Sequence, residues 1–79
     1  MTDDEIYDAL HAIFHDVFDN DAIVLSSRTS AHDIPEWDSF NHINILVASE
    51  MRFGIHFNTA EVEALQCVGD FVRLIREKL

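Results

Sequence analysis

The sequence predicts an all-α fold: a small four-helix bundle of three longer helices and one short third helix, with a long loop between the first and second. Three observations point there. Apolar residues recur at spacings of three and four in three separate stretches. Helix-starting and helix-stopping residues stand at the ends of these stretches. No stretch alternates apolar and polar residues as a half-buried strand would.

The first helix runs from Asp3 to Phe18, where Ile6, Leu10, Ile13, Phe14 and Val17 form one apolar stripe. The segment DNDAIVLSSRTSAHDIPEW follows, rich in turn formers and holding the only proline. It reads as a long loop pinned by the patch Ile23-Val24-Leu25, and connections of this length in small domains are more often functional than idle. A second helix spans about Asp38 or Ser39 to Phe53, and Gly54 supplies the residue that takes positive φ past a helix end. Asn58 with Glu61 resembles a capping box opening a short third helix from Thr59 to about Leu65. The last helix carries Val68, Phe71, Val72, Ile75 and Leu79 on one stripe, with Arg73, Arg76 and Lys78 near its C-terminus complementing the helix dipole.

Composition narrows the function. The 79 residues are 48% hydrophobic and 25% charged, which fits one globular domain over residues 1–79 and a single modest core. A net charge of -10 would repel a phosphate backbone, so nucleic acid is an unsuitable partner, and partners should present basic patches. The charge is uneven. Residues 1–40 hold ten of the fifteen acidic residues and one of the five basic ones, an acidic half that would steer basic surfaces toward itself. No apolar run reaches membrane-spanning length and the start MTDDE lacks a basic leader, so a soluble, cytoplasmic monomer is expected. The lone Cys67 excludes an internal disulfide and a cysteine-rich zinc site.

The second helix has two apolar faces. At about 100° per residue, Ile45, Leu46 and Phe53 share one side with His42 and Ser49. Phe40, Ile43, Val47 and Met51 fall on the other, joined by Asn44 and Glu50. A domain this small can bury one face fully, and a contiguous exposed apolar face marks a contact site. The alternative is that the third helix and the long loop cover both faces. At the helix entrance, Asp38 and Ser39 each can serve as N-cap. If Asp38 caps, Ser39 becomes the first helical residue and its hydroxyl is free for a phosphate-linked group, next to backbone N–H groups that favour negative charge.

Other constellations carry less. Asp38, Ser39 and His42 have the residue types of a hydrolytic triad, without a glycine-rich nucleophile elbow or an evident oxyanion donor set. His11 and His15, spaced i, i+4, could chelate a metal with Asp4 or Asp8, although a solvated helix face is the commoner meaning of that pattern, and no metal is expected. Cys67 has no cationic neighbour in sequence to activate its thiol.

The segment WDSFNHINILVASEMRFGIHF, followed by a short acidic helix and CVGDFVRLIREKL, resembles the acyl carrier proteins, with their Asp-Ser-Leu core, a helix ending in Glu-x-x-Phe-Gly-Ile and a later Val-Gly-Asp helix. The resemblance covers nearly the whole chain. It implies that Ser39, flanked by Asp38, receives 4'-phosphopantetheine from coenzyme A through a phosphopantetheinyl transferase, and that the arm's thiol holds an acyl or aminoacyl group. It implies that Phe40, Ile43, Asn44, Val47, Glu50 and Met51 dock partners: a loading ligase or transferase and the downstream biosynthetic enzymes. It also implies a carrier without bond chemistry of its own, so no catalytic residue is expected. The chain departs from the family in places. Phe40 stands where leucine is usual. Asn44 and Met51 stand where carriers of fatty acid synthesis generally have glutamates, and Trp37 with Asn41-His42-Ile43 looks more like standalone carriers of specialised pathways. Cys67 replaces the usual Ser or Thr cap, which predicts a frayed start to the last helix. Two alternatives remain open: an unmodified helical interaction module, and an aminoacyl or peptidyl carrier.

Overall fold

The computed structural model describes residues 1–79. Four α-helices form, α1 (Asp3–Phe18), α2 (Ser39–Phe53), α3 (Thr59–Glu63) and α4 (Val68–Lys78), with one 3-10 turn at Ala31–Asp33. No strand is present, and no helix is long and apolar enough to cross a membrane.

Local chemistry sets the helix ends. Thr2 and Glu5 make a capping box at the start of α1, and Asn58 and Glu61 make another at α3. Gly54 closes α2 at φ 67, in the left-handed region where a side chain would be strained. The short helix α3 stops at Glu63, two residues before the sequence pattern predicts, and Leu65 instead lines the cleft described below.

The core forms where α1 lies against both α2 and α4. Ile6, Leu10 and Phe14 from α1, Ile45 from α2, and Val68 and Ile75 from α4 are essentially inaccessible to water. The long loop is pinned as predicted, with one difference: Leu25 is buried and Ile23 half-buried, whereas Val24 points outward. Ile34 from the α1–α2 connection and Ile55 from the α2–α3 connection complete the core.

Histidines hold this loop to α1. His11 Nε2 accepts the Leu25 N–H at 2.8 Å, and His15 Nε2 lies 2.8 Å from the Ile23 carbonyl oxygen. Both rings are half-buried and engaged with backbone, so the solvated face and the metal pair considered for these histidines are both replaced by a loop clasp.

The start of α4 is also held differently from expectation. Cys67 stands at the N-cap without a capping hydrogen bond. The first N–H groups find other partners: Val68 donates to the Thr29 carbonyl at 2.8 Å and Gly69 to the Ser27 carbonyl at 2.9 Å. Asp70 reaches back to the Gln66 N–H. The loop thus satisfies the donors that a weak cap leaves open, and Val68 is fully buried.

Candidate functional site

Asp38, not Ser39, caps α2. Its carboxylate accepts the Asn41 N–H at 2.8 Å, and its backbone is extended. Ser39 is therefore the first helical residue, exposed and not used as a cap. The preceding turn is braced twice more, by the Asn41 side-chain amide donating to the Glu36 carbonyl at 2.9 Å and by the Trp37 N–H bonded to the Ile34 carbonyl. Together these bonds fix where the serine stands.

Trp37 anchors the turn to α1. Its ring meets Phe14 edge-on at 5.1 Å and lies near Phe18, while its indole N–H donates to His42 Nδ1 at 3.1 Å. Burial alone pushes the His42 imidazole below its ordinary pKa.

A cleft of about 620 Å³ opens beside Ser39. Its walls are Trp37, His42, Ile43, Ile45 and Leu46 on one side and Leu65, Gln66, Cys67 and Phe71 on the other, with Ala31, Asp38 and Ser39 at its edge. Most of this lining is apolar. Leu65 and Gln66 from the α3–α4 connection carry no motif, so only the tertiary packing identifies them as part of the cleft.

The outer face of α2 is left uncovered. Phe40 is 72% exposed, Ile43 58%, Val47 49% and Met51 81%. The other two residues placed there by the helical pattern are less free. Asn44 is half-buried, its amide directed to Asn41 at 3.4 Å. Glu50 is half-buried and its carboxylate accepts the Phe57 N–H at 2.8 Å, so it braces the chain beyond Gly54. On the inner face, Ile45 and Ser49 are buried and Leu46 and Phe53 half-buried.

The triad constellation dissolves. Asp38 is occupied by Asn41, and a His42 ring that accepts at Nδ1 carries its proton on Nε2 and has no free lone pair to take a serine proton. What the site offers is an exposed serine at a helix end, beside an Asp38 engaged with Asn41 and a His42 engaged with Trp37.

The exposed Ser39 hydroxyl and the apolar cleft beside it fit a covalently attached arm: the oxygen is reachable by a modifying enzyme, and a flexible group rooted there has an apolar wall to lie along. No family model matches the chain. An acyl carrier protein of Petrotoga mobilis is 29% identical over 79 residues, covering 100% of this chain and 93% of the relative. The solution NMR structure of holo acyl carrier protein from Geobacter metallireducens superposes with a TM-score of 0.87 at 46% identity, over 91% of this chain and 83% of that one. With identity at that level along nearly the full length of both chains, and the same helical bundle, this protein belongs to the acyl carrier protein family.

Proposed function

We propose that Ser39 is the attachment point of 4'-phosphopantetheine and that the domain shuttles acyl groups, bound as thioesters, between the enzymes of a dedicated biosynthetic pathway. The observation that carries this is the division of labour at the α2 entrance: Asp38 does the capping, leaving the Ser39 hydroxyl exposed. The relative from Geobacter metallireducens is a holo protein, which supports the same modification here. When bound, the arm supplies the thiol on which the acyl group travels.

The chain's own residues present and protect. The braced turn from Glu36 to Asn41 offers Ser39 in one orientation to a phosphopantetheinyl transferase. Ile43, Leu46, Leu65 and Phe71 give the cargo an apolar wall that lowers its contact with water.

Phe40, Ile43, Val47 and Met51 form the docking face, with Asn44 and Glu50 at its margin. It is more apolar than acidic, because Glu50 is partly consumed by the Phe57 N–H. Recognition by shape and apolar contact suits a few dedicated partners, while the acidic first half of the chain attracts their basic surfaces. Asn44 and Met51, in place of the glutamates usual in fatty acid synthesis, support a specialised pathway.

The test is mass spectrometry after incubation with coenzyme A, magnesium and a broad-specificity phosphopantetheinyl transferase. The wild type gains the mass of the arm and Ser39→Ala gains nothing. Absence of the gain across several transferases would leave only an unmodified docking domain.

A further inference from the structure

His42 lies one helical turn beyond Ser39 and lines the same cleft. A neighbour fixes its tautomer. The indole N–H of Trp37 can only donate, so the Nδ1 atom it meets at 3.1 Å must accept. The neutral ring then carries its proton on Nε2, as a donor. Burial disfavours the charged ring and so maintains this neutral form. Ser49 Oγ is the one buried side-chain polar atom without a partner. Nε2 is thus not sealed in the interior, and no protein group claims its N–H, on a ring that lines the cleft.

We propose that the Nε2–H of His42 donates a hydrogen bond to the phosphodiester rooted on Ser39, holding the base of the arm against the cleft and setting the direction in which it leaves α2. This rests on Ser39 being the modified residue. Three observations carry it. Residues three apart on a helix are surface neighbours, with Cβ atoms roughly 5–6 Å apart, and helical side chains lean toward the N-terminus, so the ring leans over the turn that presents Ser39. The cleft has no lysine or arginine to meet an anion; the titratable groups facing it besides His42 are Asp38, from the α2 N-cap, and Cys67, from the start of α4. Asp38 repels an anion and also consumes the Asn41 N–H, one of the helix-end donors that would otherwise face it. A neutral ring donor locked by Trp37 supplies a hydrogen bond without a fixed positive charge, so the arm's root is oriented while this hydrogen bond can still break and let the arm swing away from the cleft. His42 is on this view a positioning residue.

Phosphorus NMR of the modified protein tests it. A phosphodiester keeps its single negative charge throughout the neutral range, so movement of its 31P resonance there reports a neighbouring group. The wild-type holo protein should show a 31P shift whose midpoint coincides with the titration of the His42 ring protons. That His42 midpoint should lie higher in holo than in apo protein, because the nearby anion favours the cation. His42→Gln keeps an N–H donor and cannot titrate, so it should accept the arm and give a flat 31P profile. Trp37→Phe should release Nδ1, and the 15N shifts of His42 should change from one tautomer to a mixture. A flat 31P profile in the wild-type holo protein overturns the proposal, as does a titration that persists in His42→Gln. The comparison of apo and holo wild type needs no variant to fold, and an unchanged His42 midpoint there is equally fatal. Failure to gain the arm's mass removes the assignment of Ser39 itself; a mass gain with a flat resonance removes only the role of His42.

Discussion

Ser49→Ala should stabilise the protein. Ser49 is 0% exposed on the inner face of α2, one turn beyond the buried Ile45, and its hydroxyl has no hydrogen-bond partner. A desolvated hydroxyl without a partner costs about 1–3 kcal/mol on the scale of protein mutations. Alanine keeps the Cβ and removes only this oxygen, so the void it leaves is smaller than a methyl group. Alanine also gains up to about 0.5 kcal/mol of helix propensity over serine. Against these stands the loss of the oxygen's dispersion contacts, a few tenths of a kcal/mol at ~0.1–0.2 kcal/mol each. The net gain is about 1–3 kcal/mol, which for a small domain raises the melting temperature by roughly 5–20 °C. Circular dichroism melting and urea unfolding measure it, and the urea midpoint should rise with an unchanged m-value. A melting temperature that stays the same or falls would refute the reasoning, and would mean that the hydroxyl is satisfied within the helix, as serines can be by the carbonyl four residues back.

Gly69→Ala should cost about 1–3 kcal/mol, because the added Cβ would stand 2.7 Å from the Ser27 carbonyl oxygen and 3.1 Å from its Cβ, a backbone contact that can relax only by moving the loop off α4; urea unfolding at wild-type stability would contradict the close approach. Acid should act on stability in two steps. The unfolded chain protonates His42 near 6.5 while the folded ring resists, so the unfolded state binds more protons and stability falls as pH drops below that value. Glu61 is held low first by its bond to the Asn58 backbone and then by Lys78, so its contribution, present above about 4.5, is lost as pH falls further through its lowered native value. His42→Gln should remove the first step and keep the second in a pH series of urea melts. On the outer face, Met51→Asp should change stability by less than about 0.5 kcal/mol, since the side chain is 81% exposed, while weakening association with a cognate loading enzyme in a binding titration.

Much of the fold is legible in the residues themselves. The stripes of α1 and α4, the capping box at Asn58 and Glu61 and the stop at Gly54 act through neighbours within a turn or two, so helix identities and most ends follow from the chain read in order. The two faces of α2 separate by periodicity alone, and the face bearing Phe40, Ile43, Val47 and Met51 is the one left exposed. The serine at the entrance of α2 and the family likeness of its surroundings are also local features.

The site's finer arrangement is decided by contacts between distant segments. Asp38 and Ser39 compete for one cap on nearly equal chemistry, and the turn braced by Asn41 and Trp37 settles it for Asp38. Glu50 reads from the sequence as a free carboxylate on the docking face, and only the fold shows that the chain after Gly54 brings the Phe57 N–H to it. The histidines of α1 look solvated until the loop returns to them, and the weak cap at Cys67 is made good by carbonyls some forty residues earlier. The cleft beside Ser39 cannot be read from any one stretch, because its walls come from α2 and the turn before it, from the α3–α4 connection and from α4. Periodicity and caps record the physics of one turn of helix; which backbone donor meets which acceptor across the bundle depends on how the elements pack, and that is determined only when the core closes.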